Sequence, residues 1–172
     1  MSISFEAALS KIESKNIVKI PLSSSETMPS RGMVMVQGTM NDIHFKAPLE
    51  PDGKGGHFFV ISDLLLEETG ITAGQTMSFT VELLKEWIEP EIPEDIMDAI
   101  IGAGLLNQWN SLTTKARWEW FRWIRSTKNP QTRNKRIDAA CSKLQKGSRR
   151  PCCFDTTRCT IPDISKSGVL ND

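Results

Sequence analysis

Tyrosine is absent from this chain, and histidine occurs only at His44 and His57. These two shortages leave few of the side chains that commonly carry proton transfer. There is no phosphate-binding glycine loop, nucleophile elbow or HExxH helix. The segment GKGGHF, Gly53 to Phe58, is glycine-rich, but it has neither the spacing nor the strand-to-helix setting of a phosphate loop and reads as a hairpin. The carboxylates Glu67, Glu68, Asp95 and Asp98 are placed as helix-surface groups. No catalytic residue and no cofactor is implied. Cysteine is confined to Cys141, Cys152, Cys153 and Cys159. The grouping CCFDTTRC lacks the CxxC pair of a zinc site, and adjacent cysteines fit one metal poorly, so no metal is expected. The start MSISFEAALSKIESK has no basic residues followed by an apolar run, so no secretory signal is read and the thiols are expected to be reduced. No run approaches the length of a membrane span. The expectation is a soluble cytoplasmic protein.

Net charge is zero, but the charges are segregated. Residues 1–110 hold 7 Lys/Arg against 16 Asp/Glu, residues 111–151 hold 12 against 2, and the remainder holds 2 against 3. The balances are therefore −9, +10 and −1. Two readings follow. Either the basic segment docks partly on the acidic one and the rest is solvated, or it meets an anionic partner.

A chain of 172 residues is long enough for one sizeable domain or two small ones. The first half reads as short strands. Ser2 to Ile12 alternates, with Ile3, Phe5, Ala7 and Leu9 on one side. Ile17 to Leu22, Gly32 to Met40, Ile43 to Leu49, His57 to Ile61 and Thr76 to Leu84 follow. Ser23 to Ser30 is turn-rich, Asn41-Asp42 is a turn, and PDGKGG is a flexible hairpin loop. One short helix is expected after Ser62 and Asp63, stopping at Gly70. Six short strands with one helix predict a small closed β-barrel over residues 1–86. WIEPEIPED, with two prolines and many acids, predicts a linker at 87–93. A helical domain follows at 94–147, beginning with a helix from Pro93 to about Ile101, and an irregular tail at 148–172. The tail's prolines and Ser/Thr content argue against a regular element. Its Phe154, Ile161, Ile164, Val169 and Leu170 are available to lie over the domains. The fold class is α+β.

The stretch Trp109 to Ile137 concentrates rings and positive charge. A helix beginning near Ser111 to Thr114 places Leu112, Ala116, Trp120, Trp123 and Ile124 on one face. Trp118 and Phe121 point to the opposite side, among Arg117, Arg122 and Arg125. The pairs Trp118–Arg122, Phe121–Arg125 and Arg117–Phe121 are four residues apart, so ring and guanidinium can meet. Either Trp118 and Phe121 pack within the protein, or they belong to a binding surface. Arginine interleaved with rings suits an anionic or planar partner, including single-stranded nucleic acid, and equally a protein partner. Asn129-Pro130 ends this helix and opens a second one, on which Arg133, Ile137, Ala140, Cys141 and Leu144 share a face, with Gly147 as the stop. The two form a helical hairpin.

These residues carry a resemblance. GTMNDIHFKAPL and LLLEETGITAGQTMSFTVEL resemble a widespread bacterial domain of unknown function. LNQWNSLTTKARWEWFRWI, TKNPQTRNKRI and KLQKG resemble the bacteriocin-protection family, also called YdeI- or OmpD-associated. The resemblance implies a double-split-like barrel, an architecture shared with some DNA-binding regulators, followed by a helical domain. It implies no reaction and no catalytic residues. The chain departs from the family's commoner pattern at Trp118, Trp120 and Phe121. The expected function is a non-enzymatic cytoplasmic accessory protein of the bacteriocin-protection or envelope-stress type. It would bind an unknown protein or anionic partner through Arg117, Trp118, Phe121, Arg122, Arg125, Lys128, Arg133 and Arg136. The alternatives are a nucleic-acid-binding protein and a small-molecule-binding or enzymatic barrel.

Overall fold

The computed structural model describes all 172 residues and divides them into two compact units. The first comprises Met1–Glu86, Thr156–Cys159 and Asp163–Asp172; the second comprises Trp87–Asp155 and Thr160–Pro162.

The first unit is the barrel. Strands β1 (Ser2–Ile12), β2 (Lys15–Lys19), β3 (Val34–Met40), β4 (Ile43–Pro51), β5 (His57–Val60) and β6 (Thr76–Leu83) close in the order β1-β2-β5-β4-β3-β6. Every neighbouring pair is antiparallel. The period-two pattern decides which side chains enter: Met77, Phe79 and Val81 of β6 are buried and the residues between them are exposed. Asn41 and Asp42 take positive φ of 48° and 67°, the two-residue turn whose twist matches the β3–β4 hairpin. Gly38 lets β3 approach β6 closely, because a Cβ there would lie 1.9 Å from the Thr80 carbonyl oxygen. Side chains fill the interior. Phe45, Phe59 and Phe79 meet with centroids 5.6–6.1 Å apart, among Leu9, Val18, Val36, Met40, Leu49, Met77 and Val81.

Two local expectations need correction. The second strand stops at Lys19 because the chain turns at Pro21 into a one-turn helix, α1 (Leu22–Ser25), in the turn-rich segment. Helix α2 (Asp63–Thr69) forms as expected, with Ser62 Oγ accepting from Leu65 N–H at 3.2 Å and Gly70 at φ 63°. The tail is more regular than its composition suggests. A 3₁₀ turn (Pro162–Ile164) leads into a hairpin, β7 (Ser165–Lys166) and β8 (Val169–Leu170). The Leu170 N–H donates to the Asp52 carbonyl at 2.9 Å, so this hairpin is fastened to the β4–β5 loop. The Ser167-Gly168 pair, both at positive φ, is the signal that the sequence does carry for it.

The second unit is helical: α3 (Glu94–Gly102), α4 (Leu106–Ser111), α5 (Thr114–Arg125) and α6 (Pro130–Gln145). Thr113 caps α5, accepting from Ala116 N–H at 3.1 Å. Asn129 caps α6, accepting from Gln131 and Thr132 N–H, with Pro130 in the first turn. Helix α4 is shorter than two turns and lies between the two helices expected there, where no helix is predicted. The core is Ile96, Ile100, Leu105, Trp109, Leu112, Ala116, Trp120, Ile124, Ile137, Ala140 and Leu144. It contains the predicted stripe of α5 apart from Trp123, which is half-buried, and three of the five predicted α6 positions.

Candidate functional site

Helix α5 buries two faces. The predicted stripe fills the helical core, and on the opposite side Trp118 is also buried, at 7% exposure, with its indole N–H donating to the Ile88 carbonyl at 2.6 Å. Trp87 and Ile88 belong to the same compact unit as the helices, so the expected linker at 87–93 packs as part of it. Indole bodies are apolar and need only one acceptor, which is why tryptophan can occupy both faces of one helix. Trp120, fully enclosed, donates to the Arg149 carbonyl at 3.1 Å.

The arginines are spread among internal partners. Arg117, half-buried, meets Glu89 at 2.6 Å and also reaches the Leu112 carbonyl. The guanidinium holds the Glu89 carboxyl below its ordinary range. Arg122 is buried at 2% exposure and lies over the Phe154 ring at 5.3 Å, where the sequence pairs it with Trp118. Arg125, half-buried, lies over Phe121 at 4.9 Å, as its spacing predicts, and donates to Thr160 Oγ1 at 3.1 Å. Arg133, half-buried, grips Asp95 through two bonds of 2.7 and 3.0 Å, which lowers the Asp95 pKa. Arg136 donates to the Trp123 carbonyl and to Ser126 Oγ. Of the eight residues predicted as a surface, Trp118 and Arg122 are buried, Arg117, Phe121, Arg125, Arg133 and Arg136 are half-buried, and Lys128 is exposed.

The structure thus separates holding residues from presenting ones. Trp118, Arg117 and Arg122 hold α5. The presented groups are Phe121 with Arg125, and the half-buried Trp123 ring, which the sequence assigns to the core, with Arg136 Cζ and Lys143 Nζ each 5.8 Å from its centroid. Exposed Lys128, Lys135, Lys146 and Arg149 add to the charge of this unit. Sequence reasoning also passed over Glu119. It is buried in the middle of the arginine-rich helix and forms a two-pronged pair with Arg150.

In the barrel, phenylalanine and aliphatic side chains pack the interior. An open hollow of about 700 Å³ lies on the outer wall by Gln37, Thr39, His44, Lys46, Thr80 and Glu82. His57, which the sequence places on a strand without a role, is buried; its Nε2 donates to the Gly32 carbonyl at 2.9 Å and Ser25 Oγ accepts from its backbone N–H. Burial, more than any neighbour, lowers its pKa below the ordinary 6.5. No three His, Cys, Asp or Glu side chains are grouped as a metal site, and no helix is long and apolar enough to cross a membrane.

Comparison with known families agrees with the resemblance seen in the motifs. Residues 89–147 match the family described as bacteriocin-protection, YdeI or OmpD-associated. Residues 5–81 match a domain of unknown function (DUF1905). No curated protein matches the chain.

Proposed function

We propose, for a chain whose helical unit is a bacteriocin-protection, YdeI- or OmpD-associated domain, that it is a non-enzymatic cytoplasmic accessory protein acting by binding an anionic partner. The observation that carries the reading is the charge segregation: a balance of +10 over residues 111–151 on a chain of zero net charge. The contact surface is the presented part of that unit, namely Phe121, Arg125, Lys128, Arg133 and Arg136 with Trp123 and Lys143. Trp118, Arg117 and Arg122 support it from within. Each internal ion pair reduces the charge available outside, and Lys128, Lys135 and Lys146 keep it positive.

A single strand of nucleic acid is the second reading, favoured by the Trp123 ring with a cation at 5.8 Å on two counts, Arg136 and Lys143. Rings and cations together suit a stacked base and its phosphate. One titration tests both. Fluorescence polarisation is followed with a labelled single-stranded oligonucleotide and a labelled acidic peptide, each across a salt series. The wild type is compared with a Lys128→Glu, Lys135→Glu, Lys143→Glu variant. Salt-dependent binding of the peptide, lost in the variant, supports the first reading. Binding of the oligonucleotide alone, with a steep salt slope, replaces it by the second. Binding of neither at low salt rejects the anionic partner. Survival under bacteriocin challenge, in a strain carrying either form, tests the accessory role: equal survival of cells with and without the protein would reject it.

A further inference from the structure

We propose that Cys152 and Cys153 form a redox-modifiable dithiol, which a hydroperoxide converts to a disulfide between the two adjacent residues. This inference does not depend on the proposed function. Adjacent side chains in an extended chain point to opposite sides, so neighbouring cysteines ordinarily diverge. Here the backbone prevents that. Cys153 sits in a turn at φ 62°, in the left-handed region that non-glycine residues seldom occupy. This brings the two Sγ atoms to 3.0 Å, on the surface, with both residues exposed. A disulfide bond is about 2 Å long, so ring closure needs a movement of about 1 Å. The other two thiols are placed differently: Cys141 is half-buried and Cys159 is buried.

The hydrogen bond with Cys152 raises the Cys153 pKa, and the Lys143 charge acts in the opposite direction. One of the two thiols, as its thiolate, attacks the outer oxygen of the hydroperoxide, forming a sulfenic acid and releasing an alcohol, or water from hydrogen peroxide. The other thiol then attacks the sulfenic sulfur. The S–S bond forms, hydroxide leaves and takes up the second thiol's proton as water. Two electrons and two protons pass from the thiols to the peroxide, which is reduced to one alcohol and one water. The turn lies between two attachments to α5, the Arg150–Glu119 pair and the Phe154 ring under Arg122, so the new ring forms between fixed ends.

The sequence makes the test clean. Cleavage after Arg149 and Arg158, with the Arg150-Pro151 bond resistant to trypsin, releases a peptide holding Cys152 and Cys153 and no other cysteine. Reduced full-length protein is treated with equimolar hydrogen peroxide, alkylated, digested and weighed. The expected product is this peptide, lighter by two hydrogens, unalkylated and restored by dithiothreitol. It should form at least tenfold faster in folded protein than in protein held in urea. Cys152→Ser and Cys153→Ser should each abolish it. The proposal is overturned if both thiols remain alkylatable, if each is separately over-oxidised, if either pairs with Cys141, Cys159 or a second chain, or if the folded and urea-held rates are equal.

Discussion

All five tryptophans lie in the helical unit, and five of the seven phenylalanines lie in the barrel. The two cores are built from different materials. In the barrel the backbone ladders satisfy the polar groups of the strands, Arg31 and His57 take up the loop carbonyls of Ser25, Met28, Gly32 and Gly55, and the interior is phenylalanine and aliphatic side chains in contact. Helices also satisfy their own backbone, but their ends and connections do not. In the helical unit those loose carbonyls are taken up by side chains: Ile88 by Trp118, Arg149 by Trp120, Leu112 by Arg117, Trp123 by Arg136. Much of the basic and aromatic character that makes residues 109–137 look like a binding surface is therefore structural. Both units fix connections through side-chain bonds to loop carbonyls, but only the helical unit uses tryptophan for it.

The comparison can be broken from either side. The largest effects are expected at one position in each core. Gly38→Ala places a Cβ 1.9 Å from the Thr80 oxygen and should cost about 3 kcal/mol or more by obstructing the β3–β6 ladder. Trp120→Ala should cost about 3–5 kcal/mol. Urea unfolding distinguishes them, since tryptophan emission reports the helical unit and backbone circular dichroism reports both. A Gly38→Ala protein as stable as the wild type would contradict the close approach. Next is Arg150→Ala, which leaves the Glu119 carboxylate buried without its guanidinium; a loss of about 1–3 kcal/mol is expected. Glu119→Gln made together with it should recover part of this, and no recovery would place the loss elsewhere. Smaller still is Trp118→Phe, which keeps an aromatic ring and removes the N–H to Ile88; about 1 kcal/mol is expected for the lost hydrogen bond from the same denaturation. If Trp118→Phe is as stable as the wild type, the hydrogen bond is not what distinguishes this core.

The gentlest perturbation sharpens the contrast through pH. His57 has a folded pKa below the ordinary 6.5, so below that value the unfolded chain binds the proton first. Its contribution to barrel stability should therefore fall as the pH drops through 6.5. Gln in place of His57 keeps a donor for Gly32 and should flatten the trend. Asp95 and Glu89, held low by arginines, lose their contributions only further down, as the pH falls through their lowered values. Unchanged pH profiles on comparing wild type with His57→Gln would remove the histidine from the account.

Much of this fold is legible in the chain itself. Alternation along β1 and β6, the Asn41-Asp42 turn, the Ser62 and Asn129 caps and the Gly70 stop are local signals, and the strands and helices form close to where those signals stand. The core stripe of α5 is likewise a matter of spacing. The candidate surface is less legible, because spacing says which residues share a side of a helix and not what covers that side. Trp118 and Phe121 lie together as their positions require, yet residues 87–92, some thirty positions earlier, include the carbonyl that satisfies Trp118. The same limit applies to Glu119, whose partner Arg150 lies beyond the end of α6. Charge counting locates the basic segment correctly but cannot tell spent cations from available ones. Phe121–Arg125 was readable as a pair because both ends are on one helix. Arg122–Phe154 was not.

The fastening of Leu170 to Asp52 has a consequence for the order in which the molecule is assembled. A ribosome delivers Asp52 and the rest of the β4–β5 loop early, and it delivers the hairpin that engages that loop only after the whole helical segment has been made. Until that hairpin exists, the Asp52 carbonyl is without the Leu170 N–H that it accepts from in the folded protein. The bond between the hairpin and the β4–β5 loop is thus one that closes only after the intervening helical segment has been synthesised.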